Sequence, residues 1–424
     1  MATVEGNTAP GFGRVADMFR TGLDAGALGP GGGAFAAYVD GQLVADLWAG
    51  NAAPGRPWQE DTLAILMSST KGMAALCAQM LVDRGQLDVD APVSQYWPEF
   101  TANGKQGVLV RHILTHTAGV VGFGDGRPPL GWDGQGWDDA DAIAAALAAA
   151  PAWWAPGEKF GYHALTFGWL IGELVRRITG ESVGTFFRTE VAEPLGLDLR
   201  IGTPPADQPR VAAVIDGTLA SIPRFLRPFL GSVQKQMRDP ATLAGQAFVA
   251  TDGSSLMDHA ETFFADPRGL AAEIPAGNGT GTARAIGKMY AALACGGALD
   301  GVRLLSEESV RRFGAQAISL PDAMLAEMRP RFLWTRLMGK PVKRSLGYLI
   351  NPSLPRQLPS FGPNPTAFGH DGAGGQIAFC DPDRGMAVGF VRNYMTSTSR
   401  FSTRLVNTAY DCAGRTTLAP VTGS

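Results

Sequence analysis

Ser68-Ser69-Thr70-Lys71 runs directly into Gly72-Met73-Ala74-Ala75-Leu76-Cys77-Ala78-Gln79-Met80-Leu81-Val82, and the rest of the chain reads most economically as a scaffold around this segment. The apolar run predicts a buried helix opening at the serine. Three residues make about one helical turn, so Ser68 and Lys71 fall on one face with Cβ atoms roughly 5–6 Å apart. A serine hydroxyl is a weak nucleophile at neutral pH, and a lysine can take its proton once desolvation or a nearby positive charge has driven off its own. Free backbone N–H groups and the positive end of the dipole at a helix start also favour a developing anion. A serine here can equally cap the helix, so the motif alone leaves nucleophile and cap both open. The spacing recurs at Ser232-Val233-Gln234-Lys235, in a polar segment between Pro228 and Pro240 that predicts a solvated turn or short helix end.

Composition narrows the function classes. The 424 residues suffice for a sizeable core, 45% being hydrophobic and 18% charged, and a net charge of −3 gives no reason to expect nucleic acid or an anionic membrane as partner. No apolar run approaches the ~18 residues of a membrane span. Met1 to Met18 lacks the basic and apolar regions of a secretory signal. Cys77, Cys295, Cys380 and Cys412 are far apart, so free thiols in a reducing cytoplasm are expected.

Along the chain, an amphipathic helix is expected over Phe12–Ala25, then a hairpin from Gly33 to Trp48 turning at Asp40-Gly41. Gly85 ends the Ser68 helix. Val110–Gly119 predicts a helix with His112 and His116 four residues apart. Such a pair can hold zinc, but the Glu of His-Glu-x-x-His and a third ligand are missing, so hydrogen bonds that hold a loop are expected, with no metal and no cofactor. Trp132, Trp137, Trp153 and Trp154 could line an apolar cleft, although aromatic side chains are more often core. Helices follow over Asp139–Ala149, Leu165–Thr179, Glu181–Leu197, Ala283–Cys295 and Ser399–Cys412, with a loop-rich cover over 201–280. Leu346–Ile350, Ala367–His370, Gln376–Cys380 and Met386–Val391 predict strands, the last two joined by a turn at Asp381–Gly385. Gly372–Gly375 leads into a strand, not a helix, which excludes a phosphate loop. The fold class is therefore α+β: an antiparallel sheet built from 1–110 and 281–424 with flanking helices, and an inserted, mostly helical region over 111–280, with a cleft between.

Ser68-x-x-Lys71 on a helix, Arg111-His112-Ile113-Leu114-Thr115-His116-Thr117-Ala118-Gly119, Tyr162 after Pro156-Gly157, and Gly369-His370-Asp371-Gly372-Ala373-Gly374-Gly375 before a final hairpin resemble the serine β-lactamase and penicillin-binding protein superfamily. The likeness runs over roughly residues 15–410 and is strongest to class C β-lactamases and family VIII carboxylesterases. It implies acylation of Ser68, with Lys71 and Tyr162 sharing its proton and later activating water, and an oxyanion hole made by the backbone N–H groups of Ser68 and Ala373. His370 and Gly372 would contact substrate beside Trp153 and Trp154. Ala164 stands where a lactamase has an Asn, and His370 where it has a Lys, which points from lactam toward ester. The expected partner is a small-molecule ester of short to medium acyl chain. Amides, D-peptides, β-lactams or acyl transfer to another alcohol are the alternatives, as is a non-catalytic binding protein of the same fold. Whether Lys71 or a Tyr162 tyrosinate is the primary base stays open.

Overall fold

Asp40 and Gly41 both adopt left-handed backbone, φ 48° and 76°, as a two-residue turn between right-twisted strands requires. The apolar runs on either side pair as the predicted hairpin, Tyr38 opposite Leu43 and Val39 opposite Gln42. The computed structural model describes residues 3–124, 130–131, 135–221, 224, 227–249, 254–327, 341–352 and 361–414. Trp132 lies outside them.

One large sheet contains β1 (Glu5–Thr8), β2 (Gly32–Val39), β3 (Gln42–Ala53), β4 (Ile318–Leu320), β5 (Val342–Arg344), β6 (Leu349–Ile350), β7 (Phe368–Gly372), β8 (Gln376–Asp381) and β9 (Met386–Arg392). Their order is β1-β3-β2-β9-β8-β7-β6-β5-β4, and Arg56–Pro57 adds a short strand beside β3. Neighbours are antiparallel throughout. The α+β sheet of both chain ends is thus present, closed by β2 against β9.

Every residue of β2 is buried, because helices cover both faces. Side chains alternate across a strand, so Phe35, Ala37 and Val39 enter one core with α1 (Gly13–Asp24) and the C-terminal helix Arg400–Ala413. Ala34, Ala36 and Tyr38 enter the other, larger core. There α2 (Thr70–Asp83) and the helix Ala283–Ala294 pack. The second helix comes so close that a Cβ at Gly389 of β9 would lie 2.3 Å from the Ala283 carbonyl oxygen. Each large apolar side chain buried this way stabilises the fold by roughly 1.5–3 kcal/mol.

Among the described residues, 111–280 contributes no strand to the large sheet. It is joined to the rest by a three-stranded patch in which Thr280–Gly281 pairs with both Ala64–Ile65 and Leu199–Arg200. Three expectations need correction. The helix Val110–Leu114 stops early, because His116 takes left-handed backbone at φ 58°, so His112 and His116 do not share a helical turn. The helix expected over Glu181–Leu197 is shorter and less regular, a continuous helical run of Val183–Phe187, a wider π turn over Arg188–Ala192, and Glu193–Leu195. Ser232 and Lys235 sit inside a helix, Arg227–Met237, with Lys235 exposed. No helix among the described residues is long and apolar enough to cross a membrane.

Candidate active site

The chain enters the site through Ala64–Ile65, after which Leu66 N–H donates to the Gly279 carbonyl at 2.8 Å. Met67 then turns through left-handed backbone, φ 49°, a conformation that costs a non-glycine residue about 1–3 kcal/mol unless its surroundings hold it. Thr70 Oγ1 supplies that hold: it donates to the Met67 carbonyl at 2.6 Å and accepts from Gly279 N–H at 3.0 Å. Ser68 follows in a tight 3₁₀ turn, Met67–Ser69, leading straight into α2. No serine side chain caps that helix; Ser69 Oγ donates across to the His370 carbonyl of β7 at 3.2 Å. Ser68 itself stays half-buried.

Lys71 lies one turn further on, with no exposed surface. Its Nζ is 3.2 Å from Ser68 Oγ, 2.6 Å from the Ala164 carbonyl oxygen and 2.9 Å from that of Ala276. A neutral amine has two hydrogens and one lone pair. With both hydrogens given to the carbonyls, the lone pair is left facing the serine hydroxyl. Burial holds Lys71 well below the usual lysine range, the Arg344 charge adds to this, and Asp371 opposes it.

Tyr162 is set by its neighbours. Gly161 N–H donates to the His116 carbonyl at 3.1 Å, and His163 N–H to His116 Nδ1 at 3.1 Å. Asp322, whose carboxylate accepts from Met324 N–H at 2.9 Å, lies near the Tyr162 backbone. Trp154 backs the loop so closely that a Cβ at Gly161 would lie 2.4 Å from its ring. The Tyr162 ring centroid is then 4.8 Å from Lys71 Nζ, and Ser68 is near enough to favour the ionised phenol. Desolvation pushes the phenol above its usual range despite the opposing pull of Arg344, so it is protonated at neutral pH.

The other side of the site is β7. A Cβ at Gly372 would meet the Leu66 carbonyl oxygen at 2.6 Å and Met67 Cβ at 3.2 Å; glycine there lets the strand abut the serine turn rather than contact substrate. Ala373 follows, exposed, in the turn closed by Gly375 N–H on the Gly372 carbonyl at 3.1 Å. His370 departs from its expected contact with substrate. Its ring is fully buried, Nδ1 donates to the Asp371 carbonyl at 2.7 Å, and Nε2 accepts from Arg344 Nη1 at 3.1 Å. Both nitrogens are therefore used inside the protein. Trp154 is likewise buried, donating from Nε1 to the Thr117 carbonyl at 3.2 Å. Trp137 is core, against Trp169 and Phe263, and Trp153 is exposed. His112 Nδ1 accepts from Leu109 N–H at 3.1 Å; both histidines of the 110–119 segment thus hold loops, as the sequence predicts.

A model of the beta-lactamase family matches residues 15–410. This chain belongs to the beta-lactamase family. Esterase/beta-lactamase LipL of Mycobacterium tuberculosis is 38% identical over 381 residues, spanning 87% of this chain and 78% of that protein. The crystal structure of a family VIII carboxylesterase superposes with a TM-score of 0.80 at 33% identity, covering 97% of this chain and 100% of that one. A penicillin-binding protein homolog from Caulobacter crescentus gives 0.79, also at 33% identity, with the same coverage. As a beta-lactamase-family member the chain is a serine hydrolase.

Three features of this beta-lactamase-family site escape sequence reasoning. The carbonyls of Ala164 and Ala276 carry no signal, since every residue has one. Asp322, raised to about 6 mainly by burial, lies far from the motifs in the chain. Arg344 ends a three-residue strand, and its only trace is a charge just before the apolar Leu346-Gly347-Tyr348 run.

Proposed function

We propose that the protein is a carboxylesterase working through an acyl-enzyme on Ser68. The observation that carries this is Lys71 Nζ, held by the Ala164 and Ala276 carbonyls at 3.2 Å from Ser68 Oγ. Ser68 Oγ attacks the ester carbonyl as its proton passes to Lys71, and the new C–O bond gives a tetrahedral intermediate. Its oxyanion is received by the N–H groups of Ser68 and Ala373, each donor contributing about 2.7–4 kcal/mol. On collapse the C–O bond to the alcohol breaks. The departing alkoxide takes the Tyr162 proton, and Lys71 ammonium refills the phenol. Water then repeats the sequence on the acyl-enzyme, with Lys71 again the base, and frees the acid.

Ester is favoured over lactam because Ala164 brings no side-chain amide and His370 no exposed cation. The names of LipL and the family VIII structure support the same choice. We further propose that 111–280 forms one wall of the cleft, and that the thiols Cys77, Cys295, Cys380 and Cys412, which form no disulfide among the described residues, suit a reducing cytoplasm. The test is pre-steady-state hydrolysis of p-nitrophenyl esters of graded acyl length, beside a chromogenic β-lactam and a D-residue amide. A burst of nitrophenol, lost in Ser68→Ala, is expected with short to medium esters. Equal rates in parent and variant would sink the proposal, and faster lactam or amide turnover would replace its substrate class.

A further inference from the structure

Arg344, the last residue of β5, is a buried cation that the acyl-transfer steps above leave unused. Its side chain is 4% exposed. Gly347, at φ 114°, turns the chain between β5 and β6 and fixes Arg344 opposite Leu349. Its Nη1 donates to His370 Nε2 at 3.1 Å, and its Nε has no partner among the described residues. No carboxylate among the described residues forms an ion pair with it; Asp322 and Asp371 act on its charge only from a distance. The guanidinium carbon lies 5.3 Å from the Tyr162 ring centroid and 5.6 Å from that of Phe160. Tyr162 is therefore flanked by the Lys71 amine at 4.8 Å and the Arg344 guanidinium at 5.3 Å.

An unpaired buried charge is costly, and an apolar residue of similar volume removes that cost. The position pays for itself only if the charge acts on something. We propose that Arg344 is a positioning residue of the acyl-transfer reaction, whose fixed charge beside Tyr162 keeps Lys71 as the free amine and balances the negative charge that reaches the phenol oxygen when it gives up its proton. This inference rests on the acyl-enzyme reading of Ser68.

The surrounding groups leave Arg344 as the standing charge. His370 of β7, and His116 and His163 beside the Tyr162 loop, are all held neutral, chiefly by burial. Asp371 of β7 and Asp322 after β4 are both raised, chiefly by burial. The Arg344 charge lowers Lys71 and Tyr162 together, the direction needed for a base that is free and a phenol that can pass its proton on.

The test is the pH dependence of two rates: labelling of Ser68 by a fluorophosphonate, and kcat/KM for a p-nitrophenyl ester. Arg344→Gln keeps a donor for His370 Nε2 and removes the charge. Its acid limb is expected to move up by about one pH unit, about ten-fold in rate at a pH on the limb, with KM little changed and the rate recovering in alkali. Arg344→Lys keeps the charge and should restore the parental limb. A folded Arg344→Gln variant with an unmoved limb would overturn the inference. If Arg344→Gln does not fold, Arg344→Lys decides alone, since a limb shifted upward there would also overturn it. A parent protein that the probe does not label at Ser68 refutes the acyl-enzyme reading, and this inference falls with it.

Discussion

Lys71→Met keeps most of the lysine's volume but leaves the Ala164 and Ala276 carbonyls without the donor they now share. Two costs follow, and they can be measured apart. Losing the base lowers kcat by ~10²–10⁴-fold, and the orphaned carbonyls lower stability by about 1–3 kcal/mol. Ser68→Ala differs, since Ser68 is half-buried and caps nothing; turnover disappears while the melting temperature stays close to the parent. Tyr162→Phe retains measurable activity, because the Lys71 contact to Ser68 survives it. Calorimetry and single-turnover kinetics on the three variants check this, and a Ser68→Ala protein melting as low as Lys71→Met would contradict it. That Ser68, Lys71 and Tyr162 come together in space was legible in the chain, because side chains at recognisable spacing mark them. Where Lys71 sends its hydrogens was not legible, because peptide carbonyls are chemically alike along the whole backbone.

β7 shows how much an element's position depends on a missing side chain. Gly372→Ala would place a methyl group 2.6 Å from the Leu66 carbonyl oxygen, which is backbone and cannot swing aside. The strand must then move away from the serine turn, at a cost of ~1–3 kcal/mol, and carry Ala373 with it. The expected result is an ester kcat reduced by ~10²–10³-fold, as for a lost oxyanion donor, in a protein that still folds. Retention of full kcat would separate Gly372 from the positioning of Ala373. Elements with a clean period were legible: the Asp40-Gly41 hairpin, the helices Thr166–Thr179 and Ala283–Ala294, and the closing strands β8 and β9. Where tertiary contact overrode local pattern, the sequence misled. His116 leaves the helix so that its carbonyl and Nδ1 can receive the Gly161 and His163 N–H groups, and nothing within 110–119 encodes partners some 45 residues away.

At the scale of the whole molecule, acid sensitivity follows from the histidines buried neutral around the site. His163 is lowered to about 4 by burial, against ~6.5 in an unfolded chain. Above pH ~6.5 neither state is protonated and the group costs nothing. As the pH falls from there toward 4 the unfolded chain binds a proton that the folded one refuses, so stability is lost, by about 3 kcal/mol for this residue. Buried Asp322 acts in the opposite sense, so the whole-protein curve mixes the two. Comparing His163→Asn with the parent isolates the first: its melting temperature should fall less between pH 7 and pH 5, and parallel curves would refute the assignment. The overall architecture was legible because strands cluster at both chain ends. The pairing of Thr280–Gly281 with both Ala64–Ile65 and Leu199–Arg200 was not, as two-residue strands carry no period. The closure of β2 on β9 has a consequence for synthesis. About 350 residues separate the two strands, so at ~5–20 residues per second the edge of β2 waits roughly 20–70 s for its partner to leave the ribosome. Until then the β7–β8 pair has no strand that joins it to β2, and the serine turn lacks its far wall. Nascent chains stalled before β9 emerges should therefore resist fluorophosphonate labelling at Ser68, and labelling of such chains would show that the site assembles without the last strand. A hydrolase built this way is born silent and becomes competent only when its own translation is nearly complete.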